Sequence, residues 1–207
     1  MGLFESIFGR RPRQSAGTAF KALTAYQPAF RTWNGKLYES ELVRSAIDAR
    51  ARHISKLQVS IEGTAKPRLR TIAKSGPNEW QTWGQFLYRL STILDMQNTA
   101  FIVPVFDQYG DVTGFFPILP SLCDLVDVEG KPWLRYRFTG GQTAAVALSE
   151  CGVMSKFQYR DDFFGEDNQA LNATMSLIDL NEQGLRESIR NGSTYRFMAK
   201  MSNFAKP

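Results

Sequence analysis

Residues 76–121, GPNEWQTWGQFLYRLSTILDMQNTAFIVPVFDQYGDVTGFFPILPS, carry a helix start, a helix and a hairpin in one unbroken run. Thr82-Trp83-Gly84-Gln85 fits a capping box, in which the Thr hydroxyl and the Gln amide reciprocally satisfy backbone donors left open at a helix N-terminus. Phe86, Leu90, Ile93, Leu94 and Gln97 follow on one helical face. After Asn98 the residue types change to strand formers: TAFIVPVF, a turn near Gln108-Tyr109-Gly110-Asp111, then VTGFFPI. Pro104 has no N–H for the ladder, so its strand should lie at a sheet edge or carry a bulge there.

Upstream, Val43, Ile47 and Ile54, with Leu42, Ala46 and Ala49 beside them, mark a helix face running from Ser40 to about Lys56. The next six residues, LQVSIE at 57–62, alternate as a strand. Downstream strand candidates are LCDLVDV, PWLRYRF across a turn at Glu129-Gly130-Lys131, and VMSKFQY, with Gly140-Gly141 as a hairpin turn. The expected fold is α+β, an antiparallel sheet with two packing helices. A third helix is predicted from about Gln169 to Asn191, where Leu171, Met175, Ile178, Leu185 and Ile189 recur every three to four residues and Gly192 supplies the stop. At 1.5 Å per residue this helix is about 35 Å long. One narrow apolar stripe over that length calls for neighbouring helices to cover it. The tail STYRFMAKMSNFAKP reads as a strand with no partner left to pair with.

The 207 residues are 43 % hydrophobic and 22 % charged, ordinary values for a globular chain. No stretch approaches the roughly 18–20 apolar residues of a membrane span, and the N-terminus lacks the apolar run of a secretory signal. These features predict a soluble chain. Its net charge of +5 is unevenly placed: residues 1–75 hold 14 Lys/Arg against 5 Asp/Glu, or +9, and the remainder holds 11 against 15, or −4. A basic front suits an acidic partner such as nucleic acid, a membrane surface or an acidic protein face, as well as a merely solvated surface. The opening MGLFESIFGRRPR sets Leu3, Phe4, Ile7 and Phe8 at helical spacing ahead of Arg10, Arg11 and Arg13, and residues 12–36 read as an arm or linker. The opening also matches a short myristoylation pattern through Gly2 and Ser6, which belongs to eukaryotic cells.

Catalytic signatures are scarce. His53 is the only histidine and has no serine or cysteine motif near it. Neither a GxxxxGK[ST] phosphate loop nor a GxGxxG turn occurs. Cys123 and Cys151 lack the spacing of a zinc site or a disulfide framework and read as structural thiols. Asp161, Asp162, Glu166 and Asp167 in RDDFFGEDN form the one carboxylate cluster, at a spacing unlike a Ca²⁺ loop, and suit the start of the third helix electrostatically. No catalytic residue, metal ligand or cofactor is therefore assigned, and no small-molecule substrate is expected.

Four stretches together resemble the portal, or head-to-tail connector, proteins of tailed bacteriophages. They are MGLFESIFGRR, SELVRSAIDARARHISKLQVSI, the 76–121 run, and ALNATMSLIDLNEQGLRESIRNGSTYRFMAKMSNF. The resemblance implies an N-terminal arm at 1–36, a wing-like α+β domain at 37–168, a stem-like helix at 169–192 and the start of a clip at 193–207. It further implies a homo-oligomeric ring, typically of twelve subunits, in the virion and, during assembly, in the host cytoplasm. Double-stranded DNA would pass through the ring during packaging and ejection, and the terminase large subunit, the major capsid protein and a head–tail adaptor would be partners. A portal subunit would continue through a second stem helix, a tunnel loop and a crown, which these residues do not include. On the stem-like helix, Leu171, Met175, Ile178, Leu185 and Ile189 would pack subunits together. Arg186 and Arg190 are the DNA-facing candidates, although Glu182 and Arg186 also suit an ordinary helix-surface pair. The alternative readings are a basic amphipathic module that binds nucleic acid or a membrane surface, and a metal-dependent nuclease using the acidic loop.

Overall fold

The computed structural model describes residues 21–22, 38, 40–137 and 143–192. The amphipathic opening, most of the 1–36 arm, the Gly140-Gly141 turn and the tail from 193 lie outside the described residues. The chain divides into two units, Met1–Asn168 and Gln169–Pro207.

In the first unit the helices are α1 (Glu41–Ile54), α2 (Arg70–Ser75) and α3 (Trp83–Gln97). The strands are β1 (Lys21–Ala22), β2 (Thr99–Phe106), β3 (Val112–Ile118), β4 (Cys123–Val128), β5 (Lys131–Arg137), β6 (Thr143–Ala147) and β7 (Gly152–Ser155). They form two antiparallel sheets, one four-stranded in the order β1-β4-β5-β6 and one three-stranded in the order β3-β2-β7. The α+β class thus holds, with its strands divided between two sheets.

The capping box forms in full: Thr82 Oγ1 accepts the Gln85 N–H, and Gln85 Oε1 accepts the Thr82 N–H at 2.9 Å. Phe86, Leu90, Ile93 and Leu94 pack with Ala100 into one core between α3 and the three-stranded sheet. A second core lies between the sheets, where Phe101 and Val103 meet Cys123, Leu125, Leu134, Tyr136 and Val146. Strand β2 is therefore covered on both faces, which is why TAFIVPVF is continuously apolar instead of alternating. The β4–β5 turn places Glu129 and Gly130 at φ 54° and 78°, the paired positive values that match hairpin twist.

Pro104 is accommodated although β2 is the central strand. Strand β7 pairs only with Thr99–Ile102, so at Pro104 the strand is locally an edge, bonded to β3 alone, and a register shift follows at Val105/Phe106.

One expectation fails and a second holds only in part. Residues 57–62 join no strand, because their alternation fits a ladder for which this chain supplies no partner among the described residues. The inner face of α1 is Ile47 and Ala51, with Val43 and Ile54 half-buried, while Leu42, Ala46 and Ala49 are exposed. The small side chain of Ala51 marks close packing, and apolar periodicity alone overlooked it.

In the second unit, a 3₁₀ turn at Gln169–Leu171 leads into α4 (Asn172–Gly192).

Candidate assembly surfaces

Along α4 and the 3₁₀ turn before it, Met175 is buried and Ile178 is half-buried, while the other predicted stripe residues, Leu171, Leu185 and Ile189, are exposed. Leu177 and Leu180, outside that stripe, are also exposed, at 62 % and 61 %. At 3.6 residues per turn these two leucines lie roughly 120–180° around the helix from the Leu171–Ile189 line. Between them falls Gly184, where an added Cβ would meet nothing within 4 Å. The helix thus has two apolar edges, of which the regular three-to-four spacing marks only the first. The main polar sector is spanned by Asp179, Gln183, Arg186 and Arg190. Within it Gln183 Nε2 donates to Asp179 Oδ2 at 3.0 Å. Arg186 Nη2 lies 3.6 Å from Glu182 Oε2, so the helix-surface pair is the contact that Arg186 makes.

The first unit is fastened by buried polar groups that sequence reading did not single out. Asn98 closes α3 in the left-handed conformation and is 1 % exposed. Its Nδ2 donates to the Glu166 carbonyl and to Asn168 Oδ1, both at 2.7 Å, and its own carbonyl accepts the Lys156 N–H. Asn168 Nδ2 donates in turn to the Met96 carbonyl at 2.9 Å. At Gly165 a Cβ would collide with the carbonyls of Lys156 and Asn98, so only glycine fits this joint. Asp95, with its side chain 8 % exposed, accepts from Arg50 at 2.8 Å and Lys156 at 2.7 Å, tying α1, α3 and the segment after β7 together. An asparagine after a helix is an ordinary stop signal, and nothing local announces partners some 70 positions away.

Two carboxylates of the acidic loop have structural occupations. Asp161 Oδ1 accepts the N–H groups of Phe163 and Phe164, and Glu166 pairs with Arg160 at 2.8 Å. Among the described residues no group of three His, Cys, Asp or Glu is placed to hold a metal ion. Burial raises the thiols of Cys123 and Cys151, the latter to about 12, which keeps both protonated at neutral pH. His53 lies exposed on α1.

Carboxylates elsewhere are tuned by cations. Hydrogen bonds from Arg52 and Tyr88 hold the Asp48 carboxyl below its usual range. Desolvation would raise Asp124, but hydrogen bonds from Arg137 and Arg135, each at 2.9 Å, outweigh it and the carboxyl is lowered.

No family model matches the sequence, and no curated protein matches it. Solved structures do. A chain from the neck of an empty gene transfer agent (GTA) particle, in C6 symmetry, superposes with a TM-score of 0.60 at 12 % identity, over 93 % of this chain and 51 % of that one. A chain from the virion of a native GTA particle gives 0.57 at 14 % identity, over 75 % and 43 %. A chain from the neck of the native particle, in C12 symmetry, gives 0.54 at 13 % identity, over 77 % and 43 %. The chain spans about half the length of the chains it matches. Its fold is that of chains found in the neck and virion of phage-like gene transfer agent particles.

Proposed function

We propose that this chain is a portal-type subunit: a structural, ring-forming component at the vertex of a phage-like particle, through which double-stranded DNA enters and leaves and to which the tail is joined. The observation that carries the reading is α4, whose apolar residues emerge on two edges instead of one. A helix standing between two neighbours in a ring has a use for both edges, and a helix on the surface of a monomer does not. The likeness to chains of particle necks in C6 and C12 symmetry supports the same reading. In it the terminase large subunit, the major capsid protein and a head–tail adaptor are partners, and the ring resides in the virion after assembly in the host cytoplasm.

The subunit does no covalent chemistry of its own and uses no cofactor. DNA sliding through a channel is held through phosphates, loosely and without base preference. Electron microscopy of the purified full-length protein is the test: rings with a central hole are expected, and a monodisperse monomer at micromolar concentration would overturn the proposal. Incubation with DNA and Mg²⁺ should leave the DNA intact. Cleavage that disappears in Asp161→Ala or Asp162→Ala would make the chain a nuclease.

A further inference from the structure

The two edges of the three-stranded sheet are treated differently. Strand β3 is shielded by the Pro77-Asn78 turn, since Phe115 donates its N–H to the Pro77 carbonyl at 2.6 Å and Asn78 Nδ2 donates to the Phe115 carbonyl at 2.9 Å. Strand β7, at the other edge, has no outer neighbour among the described residues. Val153 and Met154 are exposed along it, and Phe157 and Tyr159 just beyond it are exposed at 69 % and 87 %. An open apolar strand edge is a template for another strand.

The same unit holds a strand-patterned segment with no ladder, Leu57–Glu62, whose Leu57 is 62 % exposed. The two do not pair within one copy. On one side the segment is tethered at the N-terminal end of α3, where the Ser55 carbonyl lies 3.1 Å from the Cβ position of Gly84. On the other side Arg68 lies 3.7 Å from Asp111 in the β2–β3 turn. Strand β7 sits at the opposite end of both elements: it pairs with Thr99–Ile102, and the Lys156 N–H meets the carbonyl of Asn98 at the C-cap of α3. The 15 residues of α3 set the Lys156 end of the acceptor about 22 Å from the donor's tether, and the Gly152 end, paired with Ile102, lies nearer to it.

We infer that Leu57–Glu62 of one copy adds as a strand to the open edge of β7 on a neighbouring copy. Donor and acceptor are different surfaces of one subunit, so the contact is head-to-tail, and repetition of it closes into a ring when the rotation allows. The acceptor runs through Gly152–Ser155 and continues its ladder to Lys156, five residues against the donor's six, before the Phe157 carbonyl accepts the Glu166 N–H. Pairing would turn Leu57, Val59 and Ile61 to one face and Gln58, Ser60 and Glu62 to the other. The inference rests on the ring reading for its setting, but it names a joint that a portal-type ring does not require.

The test is a photo-crosslinker, p-benzoylphenylalanine, in place of Met154 in the full-length protein, with mixed isotope-labelled and unlabelled copies irradiated and the linked peptides mapped. Cross-links from residue 154 to 57–62 of another copy are expected. Rings whose cross-links land elsewhere, in the 195–201 tail for instance, overturn this inference and leave the ring reading standing. A chain that stays monomeric and uncross-linked overturns both. Met154→Lys and Val59→Pro, each breaking one side of the joint, should weaken self-association at least tenfold while the circular dichroism melt of the single chain is unchanged. Undiminished assembly in both variants would also overturn it.

Discussion

The unit ending at Asn168 and the helix α4 spend their apolar residues in opposite ways. In the first, Phe101, Val103, Leu134 and Ala100 are wholly hidden by residues of their own unit. In the second, Leu177, Leu180, Leu185 and Ile189 are all more than 60 % exposed. A buried side chain stabilises the single chain, whereas an exposed one contributes only when something else covers it. The comparison therefore separates residues that make the subunit fold from residues that are available to make an assembly.

The sharpest way to break that comparison is truncation. Phe101→Ala should destabilise the first unit by about 3–5 kcal/mol, whereas Leu185→Ala should leave the melting of the monomer within about 0.5 kcal/mol. Denaturant titration of both variants measures the contrast, and equal losses would show that α4 docks within its own subunit.

Hydrogen exchange sharpens it further. On a demonstrated monomer, amides of 169–192 should exchange faster than those of α3 and β2, limited proteolysis should cut first between Asp167 and Lys200, and assembly should slow the helix selectively.

A smaller effect lies in the cap. Thr82→Ala removes the hydroxyl that accepts the Gln85 N–H and should cost about 1 kcal/mol of first-unit stability without altering self-association.

The smallest effect is electrostatic. Asp48 and Asp124 have folded values lowered from 3.8, so their contribution is present above that value and is lost as pH falls through the folded values. Stability measured below pH 4 should fall less steeply in Asp48→Asn and Asp124→Asn than in the parent.

What was legible in the sequence follows the range of the forces involved. The Thr82 capping box and the hairpin after Asn98 were readable because their hydrogen bonds join residues close in sequence. Residues 57–62 alternate like a strand without joining one, because alternation says nothing of whether a partner edge exists. Strand β6, TAAVA, is hard to read from sequence because three alanines give little β-forming signal, and Leu134 and Tyr136 opposite Val146 and Ala144 supply the packing instead. The two-residue strand β1 was hidden in a stretch without periodicity and owes its place to β4. On the candidate site, the Leu171–Ile189 stripe was visible as a period, while Leu177 and Leu180 define a second edge only once solvent exposure is known.

Strand β2 has a further consequence for how the first unit comes apart. Ala100 and Phe101 are neighbours in the chain, yet one belongs to the core under α3 and the other to the core between the sheets. The two cores share this strand as a common wall, so unfolding either strips one face of it and exposes apolar surface that the other core needs covered. Neither core is a separable folding unit. Heat or denaturant therefore meets the first unit as one cooperative body, with helical and aromatic signals lost together.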